Sequence, residues 1–292
     1  MSLFSLEIII PVRNPGSKLL ETGASLAAQT DRHFSILLSD NHSATGQDIM
    51  EQFRREMSLA GLPIRVVKPP YELGRVQHWN WAHAESNADW LKPLFVGDLL
   101  LPDYVTHLRE RVQNRPEAQV VRCEFKVHEF EKIRVTSAPF QKESLSPAEF
   151  LSYYPSLGNW IGGPINMVYR RAAWQMAGGY STQLPACADL RLNAALALRH
   201  GLEIIYKPLA VFQLHPQRFS HGIAKRRVNG CFELWLILRE LRVYCLKANL
   251  PWPSHGIWQG LSKQLKIDYG FPFRQKVKEW WLHYFHRPQG SS

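Results

Sequence analysis

The chain has 292 residues, 45% apolar and 21% charged, a balance that builds a sizeable globular core and excludes an intrinsically disordered chain. Its four cysteines (Cys123, Cys187, Cys231, Cys245) show neither C-x-x-C spacing nor a pairing pattern, and no run of about 18 uncharged apolar residues occurs. The net charge of +10 is lopsided: residues 1–217 hold 22 Lys+Arg against 21 Asp+Glu, residues 218–292 hold 13 against 4.

These features argue against a disulfide framework, a zinc ribbon and a bilayer span, and cysteine usage points to a reducing compartment. The N-terminus lacks a basic segment followed by an apolar one, so no secretory signal is expected and a cytoplasmic location is.

Leu6 to Arg13, "LEIIIPVR", is a β-branched run feeding a Pro- and Gly-containing loop. Leu19, Leu20, Gly23, Leu26 and Ala27 recur at helical spacing and predict an amphipathic helix over about 17–29. Phe34 to Leu38 reads as a strand that stops at Ser39-Asp40-Asn41-His42-Ser43. A helix marked by Ile49, Phe53, Met57 and Ala60 follows, then a strand at Ile64 to Val67. Val76, Trp79 and His83 share a helical face.

Trp90 to Asp103, "WLKPLFVGDLLLPD", carries an apolar strand (Leu91, Leu94, Phe95, Val96) that breaks at Gly97-Asp98. Val105, Leu108 and Val112 mark the next helix, and Gln119 to Val121 begins another strand. Strand-helix alternation with unbroken apolar strands predicts a mostly parallel sheet covered by helices on both faces. The strand tips Asn14, Asp40, Asn41, Ser43 and Asp98 then line one crevice at the carboxyl edge, a nucleotide-sized site. An acid at such a tip either caps a turn or holds a metal or diphosphate, and Asp98 is open to both readings.

No P-loop and no G-x-G-x-x-G follows the first strand, against an ATPase or a nicotinamide dehydrogenase. Gly158 to Arg171 is a Gly-rich loop before a strand at Ile165 to Tyr169. There Gly162 and Gly163 permit close approach to a ligand, and Trp160 either stacks on a sugar or serves the core. Asp189 opens a helix whose stripe is Leu190, Ala194, Ala195 and Leu198, a position that complements the helix dipole.

In this order and near this spacing, "IIIPVRN", "FSILLSDNHSATG", "GRVQHWNWA", "LKPLFVGDLLLPD" and "ADLRLNAALALRHG" resemble the inverting glycosyltransferases of family 2, with the GT-A fold, over about residues 5–215. The resemblance implies transfer of one sugar from a nucleotide-sugar donor (UDP-, GDP- or dTDP-linked) to an acceptor hydroxyl, usually with Mg²⁺ or Mn²⁺. Carried over by position, Pro11, Val12, Arg13 and Asn14 line the nucleotide base, and Asp40 and Asn41 meet the base or ribose. Gly74, Asn80 and Gly97 lie by the donor, and Asp98 matches the last acid of the Asp-x-Asp metal motif. Asp189 takes the place of the general base, with Trp160, Gly162 and Gly163 on the acceptor side.

Two departures stand out. Phe95, Val96 and Gly97 replace the other acids of the metal motif, and Ala188 replaces a Glu common before the base. His215 in "LHPQRFSH" matches a histidine that some relatives use near the diphosphate, and a histidine ligand would favour Mn²⁺. Lys92, Arg218 or His221 could instead neutralise the diphosphate without metal.

From about Ser220 the pattern turns helical. Leu234, Ile237, Leu238, Leu241 and Cys245 form a stripe expected to pack on the preceding domain. Val277, Trp280, Trp281 and Tyr284, among basic residues, read as an interfacial helix for an anionic membrane surface. No nucleic-acid motif accompanies the charge.

The sequence therefore predicts an α/β protein: a GT-A domain at 1–217 and a basic, Trp-rich helical extension at 218–292. Its expected role is single-sugar transfer in cell-surface polysaccharide or glycolipid synthesis, peripheral to the inner membrane face, onto a glycan or lipid-linked acceptor. The alternative is a degenerate domain that binds a sugar nucleotide or partner without catalysis, and a nucleotidyltransferase is a more distant one.

Overall fold

The computed structural model describes residues 4–129, 132–157, 160–214 and 227–250. Its first half is a strand-helix alternation: β1 (Leu6–Val12), α1 (Lys18–Ala27), β2 (Ser35–Asp40), α2 (Gln47–Leu59), β3 (Ile64–Val67), α3 (Arg75–Ala84) and β4 (Trp90–Pro93). A two-residue strand β5 (Leu99–Leu100) and helix α4 (Tyr104–Asn114) follow. The chain continues through β6 (Val120–Glu129), β7 (Lys132–Thr136), β8 (Ser144–Leu145) and α5 (Pro147–Leu157). A 3₁₀ turn (Pro164–Asn166) leads into β9 (Met167–Arg170), α6 (Arg171–Met176), α7 (Ala188–His200), β10 (Leu202–Leu214) and α8 (Arg227–Lys247).

All ten described strands join one sheet of order β3-β2-β1-β4-β9-β6-β10-β5, with β7 on β6 and β8 on β10. The β1 to β4 block is parallel throughout, because each crossover carries a helix long enough to return the chain. Strand β9 runs antiparallel between β4 and β6, while β6 and β10 are parallel. The carboxyl ends of β1, β2 and β4 thus share an edge. Strands β1 and β2 pair in register up to Pro11 with Ser39 and Val12 with Asp40.

Period-two alternation along the strands sends side chains to two cores. Ile8 and Ile10 meet α1, α2 and α4 through Leu19, Leu26, Phe53, Met57 and Leu108. Ile9 and Leu91 meet the other layer, built from α3, α5, α6 and α7. Ile237, Leu241 and Cys245 of α8 are buried in that second core, so these three residues of the expected stripe pack on the domain.

Two elements differ from the sequence expectation. The apolar run after Trp90 forms ladder pairs only to Pro93, because Leu94 makes the last bond, to Ile9, before the chain turns. Leu99 and Leu100, for which the sequence suggests no strand, pair antiparallel with Val211 and Ala210. No described helix is long and apolar enough to cross a membrane.

Candidate active site

The loops after β1, β2 and β3 are laced together at the shared edge. Asn14, with φ 49°, receives no help from a regular ladder. Its amide instead donates to Ser43 Oγ at 2.8 Å, and its Oδ1 accepts from the N–H groups of Ala44 (2.7 Å) and Thr45 (3.2 Å). Asn41 does the same on the other side. Its Nδ2 donates to the Leu73 carbonyl at 2.7 Å, and its Oδ1 accepts from Leu73 N–H at 2.9 Å.

Asp40 Oδ1 accepts from Ser43 N–H at 3.0 Å, and its Oδ2 lies 4.0 Å from Lys68 Nζ. Arg13 is half-exposed and pairs with Glu72 at 2.6 Å. Asn14 and Asn41 thus spend their side chains on shaping the loops, while Arg13 and Asp40 pair with Glu72 and Lys68 at the same edge. Pro11 and Val12 are buried in β1 beneath them.

Gly74 precedes α3 in an extended conformation, and its N–H donates to Gln77 Oε1 at 3.2 Å. Asn80, two turns along, grips the backbone of Tyr180: Nδ2 donates to its carbonyl and Oδ1 accepts its N–H, both at 2.8 Å. Asn80 therefore ties the loop before α7 onto α3.

Asp98 is buried, 1% exposed, on the loop leaving β4. Thr22 of α1 secures that loop by accepting from Gly97 N–H (3.0 Å) and donating to the Asp98 carbonyl (3.1 Å). Beneath it Lys92 is fully buried, and its ammonium donates to the carbonyls of Pro164 (2.9 Å), Ile165 (2.6 Å) and Met167 (3.2 Å). Burial lowers the Lys92 pKa to about 8 against the opposing pull of Cys123 and Asp98.

The 162–167 segment that Lys92 holds is also the segment that Asp189 touches. Asp189 lies in the first turn of α7, where Oδ1 accepts from Leu190 N–H at 2.9 Å. Its Oδ2 lies 3.2 Å from where a Cβ at Gly163 would stand, so a side chain at 163 would press on the carboxylate. Asn193, one turn along α7, donates to the Gly162 carbonyl at 3.0 Å and accepts from Tyr169 Oη at 2.6 Å. Burial raises the Asp189 pKa, while backbone N–H groups and the Arg75 guanidinium pull it back. One short segment thus connects the surroundings of Asp98 to those of Asp189.

Two residues the sequence analysis did not single out complete this corner. Arg75, beside Gly74 in "GRVQHWNWA", lies 4.5 Å over the Trp79 ring and donates to the Pro185 carbonyl. Burial lowers its pKa, against the charges of Asp189 and Glu233. Glu233, from α8, accepts from the N–H groups of Ala186 (2.9 Å) and Cys187 (2.8 Å) and so caps the start of α7 from a distant element. In the sequence Glu233 is one of four acids in a strongly basic quarter, a faint signal of a specific partner.

Trp160 is buried, with Phe140 edge-on at 4.9 Å and Phe150 at 5.8 Å, so aromatic neighbours pack against its ring. His215, Arg218, His221 and the Trp280-Trp281 helix lie outside the described residues.

The sequence profile described as Glycosyl transferase family 2 matches residues 7–175. A Haemophilus influenzae protein described as an uncharacterized glycosyltransferase is 22% identical over 221 residues, 74% of this chain and 70% of its own. Among solved structures, S. aureus TarS 1–349 in complex with UDP-GlcNAc is similar at TM-score 0.66 and 14% identity, over 91% of this chain and 73% of that one. The mannosyltransferase PcManGT from Pyrobaculum calidifontis, in complex with GDP-Man and Mn²⁺, is similar at TM-score 0.60 and 14% identity, over 98% of this chain and 76% of that one.

Proposed function

The chain belongs to glycosyl transferase family 2 and is a glycosyltransferase of the GT-A fold, and from that premise we propose that it moves one sugar from a nucleotide-sugar donor to an acceptor hydroxyl with inversion. The observation that carries the proposal is the seat of Asp189: a carboxylate with a raised pKa, on the first turn of α7, against the bare backbone of Gly163. A base works best when its pKa approaches the operating pH, and burial moves this one in that direction. Asp189 Oδ2 takes the acceptor's proton as the hydroxyl oxygen bonds to the anomeric carbon. The bond from that carbon to the diphosphate oxygen breaks on the opposite face.

Donor binding is assigned to the crevice bordered by Arg13 and Asp40, on the loops that Asn14 and Asn41 shape, with Gly74, Gly97 and Asp98 along it. UDP, UDP-GlcNAc and GDP-Man occupy the TarS and PcManGT complexes, which supports a nucleotide-sugar donor here. A divalent ion fits the described donor set poorly. Asp98 is a lone carboxylate beside Phe95, Val96 and Gly97, and no group of three His, Cys, Asp or Glu among the described residues is placed to hold an ion.

The basic excess beyond residue 217 supports an acceptor or membrane surface bearing anionic groups, as in polysaccharide or glycolipid synthesis on the cytoplasmic face. The reduced acidic motif favours a second reading, a domain that binds sugar nucleotide without transfer. Incubation with UDP-, GDP- and dTDP-sugars, with release of nucleoside diphosphate followed, separates the two. Release that disappears in Asp189→Asn supports transfer. Tight binding with no release from any donor, in the presence of candidate acceptors, supports the second reading.

A further inference from the structure

Arg122 lies on β6, opposite Met167 of β9 and Ile204 of β10, and is 0% exposed. Its Nε donates to the Ile161 carbonyl at 3.3 Å, and its two terminal nitrogens, both buried, find no acceptor among the described residues. A buried guanidinium whose terminal donors meet no protein acceptor is costly. Glu124, two residues along on the same face of the strand, is buried too and offsets part of the charge, but no hydrogen bond joins the two. The Trp160 N–H, next to Ile161 in the chain, is a second buried donor without a partner among the described residues.

The place of this cluster matters. Ile161, which Arg122 holds, is two residues from Gly163, against which the Asp189 carboxylate rests. The idle donors thus border the loop that carries the acceptor side of the proposed site. What they lack is an acceptor-only, negatively charged, planar partner, and a guanidinium fork matches a carboxylate in geometry as well as charge.

We propose that Arg122 is a carboxylate-binding residue that recognises an acidic sugar at the active site, on the donor or on the acceptor. This rests on the glycosyltransfer reading for the identity of the ligand, while its first test needs no turnover. Arg122 is fully enclosed, so binding requires the 160–163 loop to shift, and the ligand supplies the bonds that the guanidinium lacks.

The probe is sodium glucuronate, with glucose as the neutral control, and thermal unfolding of the full chain as the readout. The proposal expects glucuronate to raise the midpoint of the native chain where glucose does not, and expects that difference to vanish in Arg122→Met and Arg122→Gln. Arg122→Gln covers the case in which Arg122→Met does not fold. No difference between the two sugars in the native chain, or the same difference in both variants, overturns the proposal.

A second arm distinguishes the sources. If the donor carries the acid, UDP-glucuronate or GDP-mannuronate binds at least tenfold more tightly than its neutral hexose counterpart, and Arg122→Gln abolishes the gap. If the acceptor carries it, the acidic and neutral donors bind alike, and glucuronate still protects on top of them. Failure of Asp189→Asn to reduce turnover would overturn the base assignment and leave these binding differences standing.

Discussion

Gly178 and Gly179 form a matched pair for testing how tightly the loop before α7 is held. Both take left-handed backbone, with φ of 74° and 68°. An alanine Cβ at 178 would meet nothing within 4 Å, whereas at 179 it would stand 2.6 Å from Asn80 Oδ1 and 2.8 Å from Trp174 Cζ2. Forcing an L side chain into this region costs about 1–2 kcal/mol at either position. Only position 179 adds overlap, worth about 1–3 kcal/mol in a packed interior.

Neither obstacle can step aside cheaply. Asn80 would forfeit two 2.8 Å bonds to the Tyr180 backbone, and Trp174 is stacked on His83 with ring centroids 5.5 Å apart. Gly179→Ala should therefore lose about 1–3 kcal/mol more than Gly178→Ala, and unfold at a clearly lower urea midpoint. Urea titrations of both variants, followed by tryptophan fluorescence, measure the gap directly. Equal losses, or a larger loss at 178, would refute the reasoning about Asn80 and Trp174.

Acid should destabilise the chain through α3. His78 and His83 are buried and their pKa values fall to about 4, chiefly through burial, against 6.5 in the open. The unfolded chain thus binds more protons between those values, so stability is full above pH 6.5 and declines toward pH 4, by up to about 3 kcal/mol per histidine. Urea midpoints taken from pH 7 to 4.5 should fall steeply, less so in His83→Gln, and a flat profile would contradict this. At the start of α7, Glu233→Ala removes the acceptor of two backbone N–H bonds. It should cost about 1 kcal/mol of stability, as loss of a helix cap does. It should also lower kcat about 10- to 100-fold by loosening the turn that carries Asp189, with the donor KM unchanged. Steady-state kinetics beside Glu233→Gln, which keeps an acceptor oxygen, measure this, and wild-type kcat in Glu233→Ala would contradict it.

Periodicity in the sequence was enough to place α1, α2, α3, α4 and α7, because their apolar stripes face one core each. Strands β1 to β3 were equally legible from short, largely apolar runs that stop at polar or Pro-containing loops. The run after Trp90 was harder, since Leu94 to Val96 are apolar whether they pair or merely lie under a loop. The antiparallel return of Leu99 and Leu100 depends on β10, more than 100 residues later, and no local pattern encodes such a pairing.

At the site, polar strand tips were visible as a group, but their division of labour was not. Asn14 and Asn41 read as nucleotide contacts in sequence; that their side chains also bond to the neighbouring loops is a use that only three-dimensional partners reveal. Trp160 was ambiguous for the same reason. Glu233 and Arg75 escaped notice because a side chain that caps or balances another element carries no spacing signature.

The account stands on Asp189 as the base. The most direct measurement is single-turnover release of nucleoside diphosphate by Asp189→Asn, with donor affinity and unfolding midpoint recorded alongside. The account predicts a rate about 100- to 10,000-fold lower, with affinity and stability close to those of the native chain, as expected when a positioned proton acceptor is lost. Release within a fewfold of the native rate would contradict it.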